Sequence, residues 1–179
     1  PGGVGYGTTG RGCGGYKLRM VDENDLDVET GGMGELLVSG PSSAVWYWGQ
    51  PEKSVQTFQG EWTRSGDKYY QDNQGYYVYC GRTDDMLKVG GIWVSPFEVE
   101  SAMIADQRIL EVAVIGYKDD LGLVKPKAYV VLKAGVEKIP ELVEELQKFV
   151  KGRLAPFKSP RRIEFIDVLP KLATGNIKR

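Results

Sequence analysis

The first half of the chain alternates short apolar runs with glycine-rich turns, a pattern typical of short β-strands. Five runs are predicted strands: residues 16–21, 35–38, 62–64, 69–70 and 76–79. Residues 72–75 are a predicted turn, because their glycine can adopt a positive φ. Eight of the first 15 residues are glycine, so the chain is expected to begin as a loop. The pattern predicts a small barrel or folded sheet over residues 1–83.

Helical spacing appears after residue 83. Ser95, Pro96 and Glu98 form a predicted capping box, with the serine at the N-cap and the proline at the first helical position. Apolar residues then follow at helical spacing: Val99, Met103 and Ile104. A second predicted helix begins at Pro140 and has apolar residues on one face: Leu142, Leu146, Phe149 and Val150.

Three further runs in this half are predicted strands: residues 110–115, 127–132 and 162–167. Helices interleaved with non-adjacent strands predict a compact α+β domain. The change of pattern therefore divides the chain into a β-rich subdomain, residues 1–83, and an α+β domain, residues 84–179.

Composition excludes several classes of function. Basic and acidic residues nearly balance, 23 against 24, so no electrostatic footprint for nucleic acid or an anionic membrane is expected. No apolar run approaches the roughly 20 residues that span a bilayer. The chain has no histidine, which excludes a His-based triad within it, and Cys13 and Cys80 fit no metal spacing. We therefore expect no metal site in this chain and a reducing, cytoplasmic location.

Several ordered motifs resemble the acyl-CoA ligase branch of the adenylate-forming superfamily. They lie at consistent spacing in residues 34–44, 61–68, 79–82, 84–89, 94–100 and 154–158. Within that branch the chain looks most like the C-terminal third of a benzoate-CoA ligase. The resemblance implies that residues 1–83 end the barrel subdomain of a large domain, and that residues 84–179 are a mobile C-terminal domain. The chain is therefore expected to be the last third of an enzyme.

The resemblance also implies a reaction in two steps. A carboxylate, expected to be benzoate or a related aromatic acid, attacks the α-phosphate of ATP and gives an acyl-adenylate and pyrophosphate. The thiol of CoA then attacks the adenylate carbonyl and releases AMP, and the small domain rotates between the steps. The implied partners are the acid, ATP, CoA and the rest of the parent chain, with Mg²⁺ expected to bind outside this chain.

Asp67 and Arg82 are the candidate nucleotide ligands. Asp67 follows Ser65-Gly66 at a predicted strand end, and a short carboxylate there can accept hydrogen bonds from the two ribose hydroxyls. The structural alternative is a turn-capping Asp. The resemblance assigns ATP or AMP binding to Asp67, Arg82 and Lys88, and the alternative for the two cations is an ordinary solvated surface position.

The hinge and the thioester loop are expected close to the domain border. Asp84 is the matching hinge residue, although its neighbour Asp85 leaves the assignment ambiguous by one position. Gly90 and Gly91 resemble the loop that swings in for thioester formation, where a narrow backbone approaches the pantetheine arm of CoA. Family members usually have one glycine there, and in isolation a Gly-Gly pair is more often a simple turn.

Asn176 departs from the family pattern. The family loop has Pro-Lys, a few residues, and then Gly-Lys, and its second lysine contacts the acid and the α-phosphate during adenylation. Here Pro170-Lys171 is followed by Gly175-Asn176. Asparagine carries no charge, and loss of one such electrostatic donor lowers a rate about 10²–10³-fold. We expect adenylation to be severely weakened and the thioester step to be less affected. Lys171 and Lys178 are out of register with the missing lysine.

Other residues have weaker functional readings. Residues 46–48 (Trp-Tyr-Trp) and 76–79 are expected to pack in the core rather than to stack on a ligand. Four cations are weak candidates for the phosphates of CoA: Lys125, Lys127, Arg161 and Arg162. Residues 8–12 only superficially resemble a phosphate loop, because Pro-Lys does not follow them.

Two alternatives compete with the ligase reading. The first is a non-catalytic nucleotide- or CoA-binding remnant, which Asn176 and the absence of a phosphate loop from this chain both favour. The second is the adenylation module of a peptide synthetase, which would require a carrier-protein site downstream of residue 179.

Overall fold

The computed structural model describes residues 5–173 and 175–178. The chain divides into two compact units, Pro1–Asp84 and Asp85–Arg179. The first is a sheet with one short helix, and the second combines helices with two small sheets, so the α+β class is confirmed. Among the described residues, no helix is both long and apolar enough to cross a membrane.

The first unit is a five-stranded antiparallel sheet. Its strands are β1 (Lys17–Val21), β2 (Met33–Ser39), β3 (Phe58–Gln59), β4 (Trp62–Gln71) and β5 (Tyr77–Arg82). Strand β4 is central: it pairs with β2 along one edge, and with β3 and then β5 along the other. The two predicted runs at 62–64 and 69–70 are therefore parts of one strand. Within the described residues no pairing joins β1 to β3 or β5, so the sheet is open there.

One short helix, strand β3 and the exposure of two tryptophans were not predicted in the first unit. Helix α1 (Pro51–Thr57) begins with a proline but has no side-chain cap, so its sequence carries a weak start signal. The expected core packing is wrong for Trp46 and Trp48, which are 54% and 97% exposed. In the same run, the ring of Tyr47 packs against that of Phe58, with the two centroids 5.1 Å apart.

The second unit contains a three-stranded sheet, a hairpin and two helices. Its elements are β6 (Leu87–Val89), β7 (Ile92–Val94), α2 (Pro96–Ile104), β8 (Ile109–Lys118), β9 (Val124–Leu132), α3 (Pro140–Lys151) and β10 (Arg162–Phe165). Strand β9 is central, antiparallel to β8 and parallel to β10, while β6 and β7 form a separate hairpin. Both predicted helix starts are confirmed, and the hydroxyl of Ser95 accepts the amide of Glu98 at 3.0 Å.

The sheet of the second unit is covered on both faces, as alternation along β8 requires. Val112 and Val114 face a core built with the two helices and the hairpin, whereas Ala113 faces a smaller cluster with Leu169. Both α2 and α3 contribute fully buried side chains to the larger core: Val99, Met103, Leu146 and Val150. Ile104 was expected on this face but is 45% exposed, because it is the last residue of its helix.

Candidate functional site

The Ser65-Gly66-Asp67 motif forms a bulge in the central strand of the first unit. Glu35 on β2 pairs with Lys68 and Leu37 pairs with Arg64, so one residue of β2 lies opposite the three residues 65–67. Gly66 has a φ of +71°, which L-residues rarely adopt. A bulge of this kind bends a strand and re-aims its side chains. The motif is therefore set apart from the regular ladder by the backbone itself.

The bulge brings together two of the predicted nucleotide ligands. Asp67 and Arg82 are direct cross-strand partners, and the carboxylate Oδ1 lies 3.3 Å from Nη1 of Arg82. The guanidinium lies over Gly66, where a built Cβ would come within 3.1 Å of Nη2. The arginine side chain is 52% exposed and the aspartate 27% exposed, so both can reach a ligand. Burial, and secondarily the charge of Asp67, raises the pKa of nearby Tyr69.

A buried carboxylate supports the bulge from the opposite strand. Glu35 is 8% exposed; its Oε1 accepts the amide of Gly66 at 3.2 Å, and its Oε2 accepts Arg64 Nη2 at 2.9 Å. Sequence reasoning missed this pair. One sequence signal was available: Glu35 lies in an apolar strand run, and a buried carboxylate needs a charged or hydrogen-bonding partner.

Gly90 and Gly91 form the two-residue turn of the hairpin β6–β7. Their φ values are +58° and +85°, and two positive values in succession are typical of a tight primed turn. Apart from the adjacent residues, no atom of the described residues lies within 4 Å of a Cβ built on either glycine. Lys88 is paired in register with Trp93 and lies over its ring, 5.1 Å from the centroid. The predicted loop is thus the tip of a narrow hairpin in the second unit.

Asn176 lies in a second hairpin, near the C-terminal end of the described residues. The hairpin is closed by a bridge between Lys171 and Ile177, and the amide of Leu172 donates to the carbonyl of Asn176 at 2.8 Å. Gly175 has a φ of +84°, as the turn requires. Ile177 packs into the smaller apolar cluster of its unit, so alternation directs the exposed Asn176 away from that cluster.

The lysines on either side of Asn176 are each tied to another part of the chain. Lys171 Nζ is bound at 2.6 Å to Glu111, which lies on β8. Lys178 follows Ile177, and its amide is fixed by the carbonyl of Pro170 at 2.8 Å. A shift of Lys178 into the position of Asn176 would therefore pull Ile177 out of its apolar contacts.

The remaining candidates are dispersed. Asp84 is exposed in a single 3₁₀ turn, Thr83–Asp85, and is the last residue of the first unit. Two of the weak CoA candidates are held by acidic partners, Lys127 by Glu164 at 2.7 Å and Lys125 by Asp119 at 4.0 Å. In the part of the chain that the structure describes, no group of three or more side chains is arranged to hold a metal ion.

Comparison with known proteins agrees with this arrangement. Residues 98–176 match the model of the AMP-binding enzyme C-terminal domain. The chain is 58% identical over 179 residues to the benzoate–CoA ligase of Thauera aromatica, and 50% identical over 180 residues to a 4-hydroxybenzoate–CoA/benzoate–CoA ligase of Rhodopseudomonas palustris. The alignments cover 99% and 100% of the chain but 34% and 33% of those proteins. The chain thus spans about one third of the length of these relatives.

Solved structures give the same result. A benzoate CoA ligase from Burkholderia xenovorans superposes with a TM-score of 0.88 at 53% identity, covering 98% of this chain and 35% of that one. An anthranilate CoA ligase in complex with anthranoyl-AMP gives a TM-score of 0.92 at 46% identity, covering 99% and 34%.

The fold and motifs define an AMP-binding C-terminal domain preceded by a β-rich subdomain. Residues 98–176 are an AMP-binding enzyme C-terminal domain, and the chain as a whole is similar to the C-terminal third of benzoate-CoA ligases.

Proposed function

We propose that this chain is the C-terminal third of an AMP-forming aryl-CoA ligase. The complete enzyme converts a carboxylate, ATP and CoA into an acyl-CoA, AMP and pyrophosphate through an acyl-adenylate. The observation that carries the proposal is the Asp67–Arg82 pair on its bulge, in a chain 58% identical to a benzoate–CoA ligase over 179 residues.

The Asp67–Arg82 pair suits a nucleotide in its ribose region. The carboxylate can accept hydrogen bonds from two vicinal hydroxyls, while the neighbouring guanidinium supplies a fixed positive charge for ribose or phosphate oxygens. Their direct cross-strand register supports a joint role, because the sheet holds both groups at a constant separation. Lys88 is a further proposed contact to nucleotide or CoA phosphate.

The two hairpins of the second unit suit the two steps of the reaction. The Gly90-Gly91 tip has no side chains and open space around it, so it can lie against the pantetheine arm of CoA in the thioester step. The Asn176 hairpin takes the position of the adenylation loop. We propose Asp84 as the hinge about which residues 84–179 rotate between the steps. Asp84 is exposed, and a hinge residue needs only to change its backbone φ and ψ angles.

The acid is proposed to be benzoate or a related aromatic acid. The relatives described above are named as ligases of benzoate, 4-hydroxybenzoate and anthranilate, all aromatic acids. These names favour a CoA ligase over a peptide-synthetase module. Mg²⁺ is expected to accompany ATP at a site supplied by the rest of the enzyme, and a cytoplasmic location stays a prediction from cysteine content.

Asn176 is the point at which the two leading functions diverge. A lysine there would stabilise the charge that develops on the transferring phosphate, and an asparagine supplies no charge. If a lysine at residue 176 does not restore adenylation, the parent is a nucleotide- and CoA-binding remnant. We favour the weakened ligase, because the Asp67–Arg82 pair and the Gly90-Gly91 turn support nucleotide and CoA chemistry.

An adenylation assay on the full-length parent tests the proposal. With benzoate, ATP and CoA, the parent should form AMP slowly, and Asn176→Lys should raise the rate by about 100-fold. Lys171→Gln is the matched control, because its charge is already bound to Glu111, and it should leave the rate of the Asn176→Lys protein within a factor of about two. No acid-dependent AMP from Asn176→Lys would contradict the ligase and favour the remnant.

A further inference from the structure

We propose that Glu35 is a positioning residue for the nucleotide: its carboxylate fixes the backbone bulge that presents Asp67. The inference rests on the proposed function, because it assigns a supporting residue to the same nucleotide site. Glu35 lies on β2, one strand away from Asp67, and acts through the backbone of β4 rather than by touching the ligand.

The bulge needs such a support. Three residues of β4 face one residue of β2, so the amide of Gly66 cannot find a regular ladder partner on that edge. Glu35 Oε1 accepts that amide at 3.2 Å. Asp67 is the next residue, so the glutamate constrains the peptide from which the ligand-binding side chain projects. On the other flank, Ser65 Oγ accepts the amide of Asp67 at 3.1 Å.

Arg64 holds the glutamate in place. Its Nη2 and Nε lie 2.9 Å and 3.3 Å from Glu35 Oε2, and its Nη1 lies 2.7 Å from Asp25 Oδ1. The glutamate side chain is only 11% exposed and the arginine 21% exposed, so water screens the pair weakly. Because Arg64 precedes the bulge and Gly66 is its middle residue, one carboxylate ties the bulge to the regular strand before it.

The arrangement requires an acceptor on both oxygens. The carboxylate accepts from an amide on one side and a guanidinium on the other. A glutamine has the same shape but presents one acceptor and one donor, so one of these contacts becomes a donor facing a donor. Glu35→Gln should therefore disturb the bulge, although it fills the same space. A purely space-filling role would leave this variant unaffected.

The test is the affinity of the full-length parent for AMP and for 2′,3′-dideoxy-AMP, measured by titration calorimetry. Glu35→Gln should lower the affinity for AMP by about tenfold, the scale of one lost hydrogen bond to a charged group. It should leave the affinity for the dideoxy nucleotide within about twofold of the original. In an Asp67→Asn background, Glu35→Gln should have no further effect on AMP. Arg64→Lys, which keeps the charge but loses the paired contact, should show the same selective loss. Glu61→Gln is the control, since Glu61 is a 56% exposed glutamate of the same unit.

The outcomes separate the two claims. Failure of the unsubstituted parent to bind AMP, or to prefer it over the dideoxy form, overturns the proposed function itself. Normal AMP binding by Glu35→Gln overturns the role of Glu35 alone. Equal loss of both nucleotides, or a loss that adds to that of Asp67→Asn, also overturns it, because the effect then does not pass through the ribose contact.

Discussion

Arg82 lies directly across the strand pair from Asp67 and folds its guanidinium back over Gly66. The carboxylate Oδ1 is 3.3 Å from Nη1, and the same guanidinium leaves only 3.1 Å to a Cβ built on the glycine. The glycine thus has two roles, to adopt a φ of +71° and to leave room for the arginine. The close approach of the Arg82 guanidinium therefore favours a glycine at residue 66, next to Asp67.

Gly66→Ala should therefore reduce both stability and nucleotide affinity. A left-handed alanine costs about 1 kcal/mol of unfolding free energy, and the new methyl group forces the Arg82 guanidinium to shift by a few tenths of an ångström beside Asp67. We expect AMP affinity in the parent to fall about tenfold, the equivalent of one charge-assisted contact. Calorimetric titration with AMP and thermal unfolding measure the two effects.

Gly60→Ala is the matched control for that variant. Gly60 also has a positive φ, +64°, but in the part of the chain that the structure describes no residue beyond its two neighbours lies within 4 Å of its built Cβ. It should show a similar loss of stability and unchanged AMP binding. Equal nucleotide affinity in the two alanine variants would show that the contact with Arg82 has no part in binding.

The Gly90-Gly91 hairpin should be needed in one half-reaction only. Alanine at either position is strained by about 1 kcal/mol and adds a methyl group to the narrow tip. We expect Gly91→Ala to slow thioester formation from a preformed benzoyl-adenylate by about tenfold or more, since small misplacements at a reacting centre have large effects. Acid-dependent adenylation by the Asn176→Lys protein should be unchanged.

Gly122→Ala controls for backbone strain in the same unit. Gly122 has a φ of +73° and open space around its Cβ, in the turn between β8 and β9. It should leave both half-reactions intact. A Gly91→Ala protein that slows both steps equally would instead indicate a general loss of the folded domain.

Acid should destabilise the second unit through Asp106. Its carboxylate is 7% exposed and accepts Arg108 Nε at 3.0 Å and Nη2 at 2.9 Å, and the hydrogen bonds from Arg108 hold the pKa of Asp106 below its ordinary value of 3.8. Because the folded pKa is lower than the unfolded one, the stabilisation is complete above pH 3.8. It is lost as the pH falls through the lower, folded pKa.

Asp106→Asn should lower the melting temperature at pH 7 and flatten its decline in acid. Asp167→Asn is the control: the pKa of Asp167 is also lowered, by Lys138, but its side chain is 91% exposed and contributes little to stability. Thermal unfolding between pH 7 and pH 2 measures both. If the melting temperature of Asp106→Asn falls as steeply with acid as that of the unsubstituted protein, other carboxylates cause the acid destabilisation.

Local signals in the sequence predicted most of the second unit. The proline at the start of each helix and the serine cap before α2 are properties of a few adjacent residues, and both starts are confirmed. The parallel pairing of β9 with β10 could not be predicted from local signals, because it joins residues 35 positions apart. Ile104 was wrongly expected to be buried, because apolar spacing does not show that the last residue of α2 lies beyond the core.

The site was predicted less completely than the fold. Asp67, Arg82 and the Gly-Gly turn carry recognisable motifs, whereas the support from Glu35 depends on its register against Arg64 and Gly66, which lie 29 and 31 positions further along the chain. The exposure of Trp46 and Trp48 also escaped prediction, because aromatic residues are most often buried. Their surroundings depend on tertiary packing that composition does not encode.

Thioester formation from synthetic benzoyl-adenylate and CoA tests the central claim most directly, because it bypasses the adenylation step that Asn176 is proposed to weaken. We predict that the unmodified full-length parent forms benzoyl-CoA and AMP in stoichiometric amounts, and that Asn176→Lys changes this rate by no more than about twofold. Release of AMP without benzoyl-CoA, or no reaction with either protein, would contradict the assignment of this chain to an aryl-CoA ligase.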